Sequence, residues 1–231
     1  MSDGGIRIDN GSTAVLAGPT ISANTIKRCL GDSGIRVGAD SVSILGNSID
    51  AVLGFNRGID VIARPRHARG SIAKNKVTNG HDAGIRVAIG GVAVSENVVS
   101  KCGGGYNGSA GIHIALVDNC TLVGNKVTDI DGDGFHIEGN TNTLTDCSAT
   151  KCVNDGFDLV SGNGNSLDGC VASSCFGEGL DNSNGVTGSI VKNSTFSKCR
   201  IDFAGNGTLA QDVNNTFTTG GAATAPVIDQ P

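Results

Sequence analysis

The chain has 231 residues, a formal net charge of −5, 38% hydrophobic residues, only 3% aromatic residues and no tryptophan. That composition supports a packed core, but a narrow one built from Val, Ile, Leu and Ala. No apolar run approaches the roughly 20 residues that span a bilayer. An acidic chain with no basic tail and no nucleic-acid-reading motif makes nucleic acid a poor partner.

The length fits one domain, placed over residues 1–220 with a tail at 221–231. The N-terminus, Met1-Ser2-Asp3-Gly4, is polar, has no secretory signal as read, and leads at once into a recurring phrase of glycine, apolar residue, variable polar residue and apolar residue. In chain order the phrase reads Gly5-Ile6-Arg7-Ile8, Gly34-Ile35-Arg36-Val37, Gly58-Ile59-Asp60-Val61 and Gly84-Ile85-Arg86-Val87. It continues as Gly111-Ile112-His113-Ile114, Gly134-Phe135-His136-Ile137 and Gly156-Phe157-Asp158-Leu159. Two weaker copies close the series, Gly179-Leu180-Asp181-Asn182 and Arg200-Ile201-Asp202-Phe203. The period wanders between roughly 21 and 29 residues, within the range of stacked-repeat architectures.

Inside a repeat such as 111–133, Ile112 and Ile114 alternate with His113, Cys120 and Leu122 alternate with Thr121, and Val127 follows a turn. These are short period-2 segments between Gly, Asn and Asp turns, with no i, i+3, i+4, i+7 helical pattern. Three short strands per repeat, in about nine repeats, predict an all-β parallel β-helix whose coils stack about 4.8 Å apart. A second column supports this. After each second strand stand Asn24, Asn47, Asn75, Asn97, Asn125, Cys147, Cys170, then Asn193 or Ser194, then Asn215. Two residues on comes a core position: Ile26, Ile49, Val77, Val99, Val127, Ala149, Ala172, Phe196 and Phe217. Stacked asparagines form amide ladders. Cys29, Cys102, Cys152, Cys175 and Cys199 share an inward column with Val52 and Ile130. With no Cys-x-x-Cys pair, they are read as buried free thiols rather than a metal or redox site.

In each phrase the variable residue points away from its inward neighbours. The expected face therefore runs Arg7, Arg36, Asp60, Arg86, His113, His136, Asp158, Asp181, Asp202, with Glu138 alongside. Charge divides along it: up to residue 115 there are 12 Lys/Arg against 8 Asp/Glu, and beyond it 5 against 14. A basic insert with Arg64, Arg66 and His67 and a glycine-rich insert with Tyr106 flank this face, as loops that wall an extended polymer. Arg36, Asp60, Arg64, Arg66, His67, Glu138 and Asp181 are read as substrate contacts. His113 and His136, set between an arginine and an aspartate, are candidate general bases, because a pKa near the working pH suits that role. Asp133, Asn154, Asp155 and Asp158 bring hard oxygen donors from two coils together, a set that suits Ca²⁺.

The pattern resembles the pectin lyase-like right-handed parallel β-helix superfamily along nearly the whole chain. Asp131-Gly-Asp133-Gly-Phe-His136, Asn154-Asp155-Gly-Phe-Asp158-Leu and Gly179-Leu-Asp181-Asn-Ser-Asn184 resemble the calcium-site coils of family 9 pectate lyases. The resemblance implies Asp133, Asn154, Asp155 and Asp158 as calcium ligands and an extracellular or cell-surface setting. Asn154 and His136 stand where that family has aspartates, and the coil with its catalytic lysine has no counterpart. Mannuronan C5-epimerase modules are also similar, although their Asp-Pro-His-Glu motif is not reproduced.

These readings lead to an expected enzyme on an acidic polysaccharide that abstracts the C5 proton, as lyase or epimerase. Arg86 or Ca²⁺ would neutralise the uronate, His136 or His113 would be the base, and Tyr106 or the other histidine would protonate the leaving oxygen. Two rival readings remain: a glycoside hydrolase using Asp155 and Asp158, and a non-catalytic, tailspike-like glycan-binding rod. Rod ends without a capping helix make oligomerisation a further expectation.

Overall fold

A computed structural model describes residues 5–9, 18–30, 33–39, 41–52, 57–62, 69–104, 109–183 and 185–218. The chain forms a right-handed parallel β-helix of three sheets, each with nine strands among the described residues. One coil shows the plan: Asp133–Glu138 in the first sheet, Thr143–Thr145 in the second and Ser148–Cys152 in the third. Every strand pairs in parallel with its counterpart one coil on, for instance His113 with His136 and His136 with Asp158. The described residues contain no helix.

The corner between the second and third sheets repeats without change in length. A left-handed residue turns the chain at Ala23, Lys74, Glu96, Asp146, Asn193 and Asn214, and glycine does so at Gly46, Gly124 and Gly169. The next residue is the ladder residue. Asn47 donates its backbone N–H and its Nδ2 to Asn75 Oδ1, at 2.9 and 3.0 Å. Asn75 repeats this with Asn97, and Asn97 with Asn125. Left-handed backbone costs a non-glycine residue about 1–2 kcal/mol. The ladder offsets that cost by satisfying donors that a buried corner would strand. The expected slip near Asn193 resolves to Ser194, whose hydroxyl accepts from Cys170 N and whose N–H donates to Asn215. A second buried ladder, Cys120 to Asn142 to Asn165, was not visible as a column in the sequence because it occupies only the later coils.

The core is one continuous strip in which volume is traded between sheets. Where the first sheet carries Phe135 and Phe157, stacked at 4.9 Å with planes 7° apart, the third carries Ala149 and Ala172 in place of Val or Ile. Such compensation keeps packing density level along a tube of fixed bore. The phrase glycine marks the closest approach: a Cβ on Gly134 would stand 2.5 Å from the Gly156 carbonyl oxygen and 2.6 Å from Ala149 Cβ. All eight cysteines are buried free thiols, and burial pushes Cys102 up to about 11.

The last copy of the phrase is out of register with the sequence reading. Leu180 pairs with Phe203 and Asp181 with Ala204. Asp202 therefore falls in the glycine column, is buried, and accepts the Thr218 N–H. No glycine marks that position, so the repeated phrase carries no anchor for the shift.

Candidate functional site

The outward column of the first sheet divides into three stretches. At the arginine end, Arg36 and Arg86 flank Asp60 in register. Asp60 was expected to face solvent but its side chain is only 3% exposed. Arg86 Nη1 lies 3.3 Å from it, and Arg57 reaches Asp60 at 3.8 Å and Asp82 at 3.0 Å. Arg57 and Arg86 close over the carboxylate, and Asp60 holds these two arginines in place. Arg57 escaped the sequence reading because it sits just before the phrase glycine, in the turn column that later holds Asp155 and Glu178.

In the middle, His113 and His136 pack edge to face with ring centroids 4.9 Å apart. His113 Nε2 and Glu138 Oε2 are 3.0 Å apart. His136 Nδ1 lies 3.0 Å from Asp133 Oδ2 and 3.1 Å from Asp158 Oδ2. The ladder register shifts by one residue after Ile137, so that Glu138 stands opposite Ser161. Bulges of this kind re-aim side chains beside functional sites.

These contacts drive the two rings apart in charge. His113 is lowered by burial, which outweighs the hydrogen bond to Glu138, and the neighbouring His136 lowers it further. Burial also works against charge on His136, but the hydrogen bonds and charges of Asp133 and Asp158 win and raise it to about 10. At neutral pH His113 is therefore the free base and His136 an imidazolium.

At the carboxylate end, a second device recurs in the turn. Asp155 N–H donates to Asp133 Oδ1 at 3.2 Å, and Glu178 N–H donates to Asp155 Oδ1 at 2.6 Å. Burial raises Asp155 to about 8, with the hydrogen bond to Glu178 adding to it. Glu178 is lowered in return, by that bond and by Arg200 at 2.6 Å. Burial, then the charges of Asp158 and Glu178, raise Asp181 to about 6.

Of the four expected calcium ligands, Asp133 and Asp158 fall in one cluster and Asp155 and Asp158 in another. Asp133 Oδ2 is engaged by the His136 cation, Asn154 is exposed, and Asp158 belongs to two clusters. The first cluster, Asp133–His136–Asp158, already contains its cation. The second, Asp155–Asp158–Asp181, offers oxygens within 4.8 Å of one another. Asp158 Oδ1 is buried there without a hydrogen-bond partner. Hard oxygens with one unsatisfied carboxylate atom fit a divalent cation such as Ca²⁺. Arg64, Arg66, His67 and Tyr106 lie outside the described residues.

Comparisons with known proteins agree with this architecture. Among solved structures, pectate lyase Pel9A superposes with a TM-score of 0.55 at 16% identity, covering 95% of this chain and 70% of its own. ORF18 of Geobacillus virus E2 gives a TM-score of 0.43 at 10% identity, covering 90% of this chain and 56% of its own. No curated protein matches the chain. The right handed beta helix region family matches residues 90–223, more than half of the sequence. With the three parallel sheets, this places the chain in the right-handed β-helix family, with a pectin lyase-like fold.

Proposed function

We propose that the chain acts on an acidic, uronate-containing polysaccharide by removing the proton at C5, as a lyase or an epimerase. One observation carries this reading: a neutral histidine held by a carboxylate, between two cations on one column. His113 pairs in register with Arg86 on one side and His136 on the other. Glu138 favours the proton on Nε2, which leaves the Nδ1 lone pair to accept a proton. As His113 takes that proton, Glu138 stabilises the new imidazolium. Arg86 or His136 meets the uronate carboxylate and lowers the cost of charge building up at C5. A proton at about 10 on His136 suits a fixed cation better than a base. Calcium held by Asp155, Asp158 and Asp181 would supply further neutralisation of the sugar carboxylate. Expulsion of the C4 oxygen, with the proton on His113 passed to it, gives the unsaturated product and an alcohol, and re-protonation of C5 from the opposite face gives the epimer.

The test is incubation with polygalacturonate, alginate and other uronates, followed by ultraviolet absorbance for the double bond and deuterium incorporation at C5 in heavy water. His113→Gln should lower the rate by about 10³-fold, within the range of a lost general base. Because His113 is lowered, the wild-type rate should hold to pH values below the ordinary histidine range before falling. Absence of both an unsaturated product and deuterium exchange across the whole panel would refute the reading.

A hydrolase is the second reading, favoured by Asp155, which keeps its proton at neutral pH and so resembles a general acid. New reducing ends without unsaturation would select it. The oxygens of Asp155 and Asp158 lie within 4.8 Å, closer than the roughly 6.5–9.5 Å of inverting carboxyl pairs.

A further inference from the structure

The corner that leads from the third sheet into the first carries an open groove of about 530 Å³. Its floor is made by Val153 and Phe176, stacked on successive coils, beside the buried Ile130. Backbone bonds fix that stacking: Val153 N–H to Ile130 O at 2.8 Å and Phe176 N–H to Cys152 O at 2.9 Å. Phe176 is 75% exposed and Val153 48%. Lys151, Asp131 and Ser174 form the rim.

The groove adjoins the candidate site along the chain. Asp131, Val153 and Phe176 each stand two residues before Asp133, Asp155 and Glu178, so the three chain segments that floor or rim the groove run directly into the carboxylate end. Its volume is in the roughly 300–1,000 Å³ range of small-ligand sites. A protein partner would need about 800 Å² of matching surface, whereas the Asp129, Lys151 and Ser174 rim is polar.

We infer that this groove is an outlying subsite for a pyranose ring of the polysaccharide. A pyranose offers an apolar C–H face and a rim of hydroxyl groups, which matches an aromatic floor with a polar edge. The C–H face lies on Phe176 and Val153, Lys151 meets a uronate carboxylate, and Asp131 and Ser174 take ring hydroxyls. The assignment rests on the reading that a uronate polysaccharide is the ligand, but not on any chemistry at His113.

Calorimetric titration with oligogalacturonates, alginate oligosaccharides and neutral cello-oligosaccharides tests it, alongside sedimentation. Phe176→Ala, an exposed change that leaves the core intact, should weaken uronate binding about tenfold with melting temperature unchanged, the effect of one lost apolar contact. Lys151→Ala should weaken uronates and leave neutral sugars unaffected. Unchanged affinity in Phe176→Ala, no binding to any saccharide, or self-association of the wild type abolished by Phe176→Ala would each overturn the subsite. Binding through Phe176 without turnover keeps the subsite and removes the lyase or epimerase reading. Turnover and affinity both indifferent to Phe176 keep that reading and remove the subsite.

Discussion

The two ends of the first-sheet column use the same scaffold and opposite electrostatics. At the arginine end, Asp60 sits beneath Arg57 and Arg86, and each charge meets an opposite one. At the other end, Asp155, Asp158 and Asp181 lie close together, and Asp155 and Asp181 are both raised. The first arrangement is self-sufficient. The second is strained by like charge and leaves Asp158 Oδ1 without a partner. Such local conflict within an otherwise consistent fold is where binding chemistry is found. His136 joins the two ends, a cation supplied by the sequence itself.

The largest effect should come from breaking the balanced end. Asp60→Ala leaves Arg57 and Arg86 without their buried partner and should cost about 3 kcal/mol in urea unfolding, the lower part of the range for a broken buried pair. A loss under about 0.5 kcal/mol would mean that solvent already satisfies these arginines and that the two ends are not different in kind.

The junction should respond to pH. His136 is raised in the fold, so its contribution is fully present below its ordinary value near 6.5 and is lost as pH rises through about 10. Stability should therefore fall by about 2 kcal/mol between neutral pH and pH 10, after discounting for screening. His136→Gln should remove most of that slope, as read from unfolding curves across the pH series.

The smallest change should come from relieving the strained end. Asp181 is raised, so its neutral form is favoured by the fold. Asp181→Asn should stabilise the protein at neutral pH by about 1 kcal/mol after allowing for its half exposure, or 2–4 °C in melting temperature. Added Ca²⁺ should raise the wild-type melting temperature and have less effect on this variant. A variant that melts lower than wild type without calcium would show that the carboxylates are not in conflict.

The fold was legible because its signals repeat. The nine column residues from Ile26 to Phe217 fall in register, although Phe217 at the end of the stack is exposed. The candidate site was legible as a column but not as a network. Spacing alone places His136 next to His113 and Asp158. It does not show that Asp133, three residues back, takes the same ring nitrogen as Asp158, and so reverses the ring's role. Nor does it show that Arg57 folds down from a turn to bury Asp60. Side chains that reach across coils are set by rotamer and charge, which no periodic pattern carries.

The corner with the asparagine ladder has a consequence for how such a rod can change. From each inward residue of the second sheet to its partner in the third the count is always five, as from Ile44 to Ile49, Leu122 to Val127 and Val191 to Phe196. Length varies elsewhere, at the other two corners, where the basic and glycine-rich inserts fall. One corner thus keeps time for the whole stack, while the other two are free to lengthen. Walls around the column can be rebuilt by insertion without a single core residue losing its place.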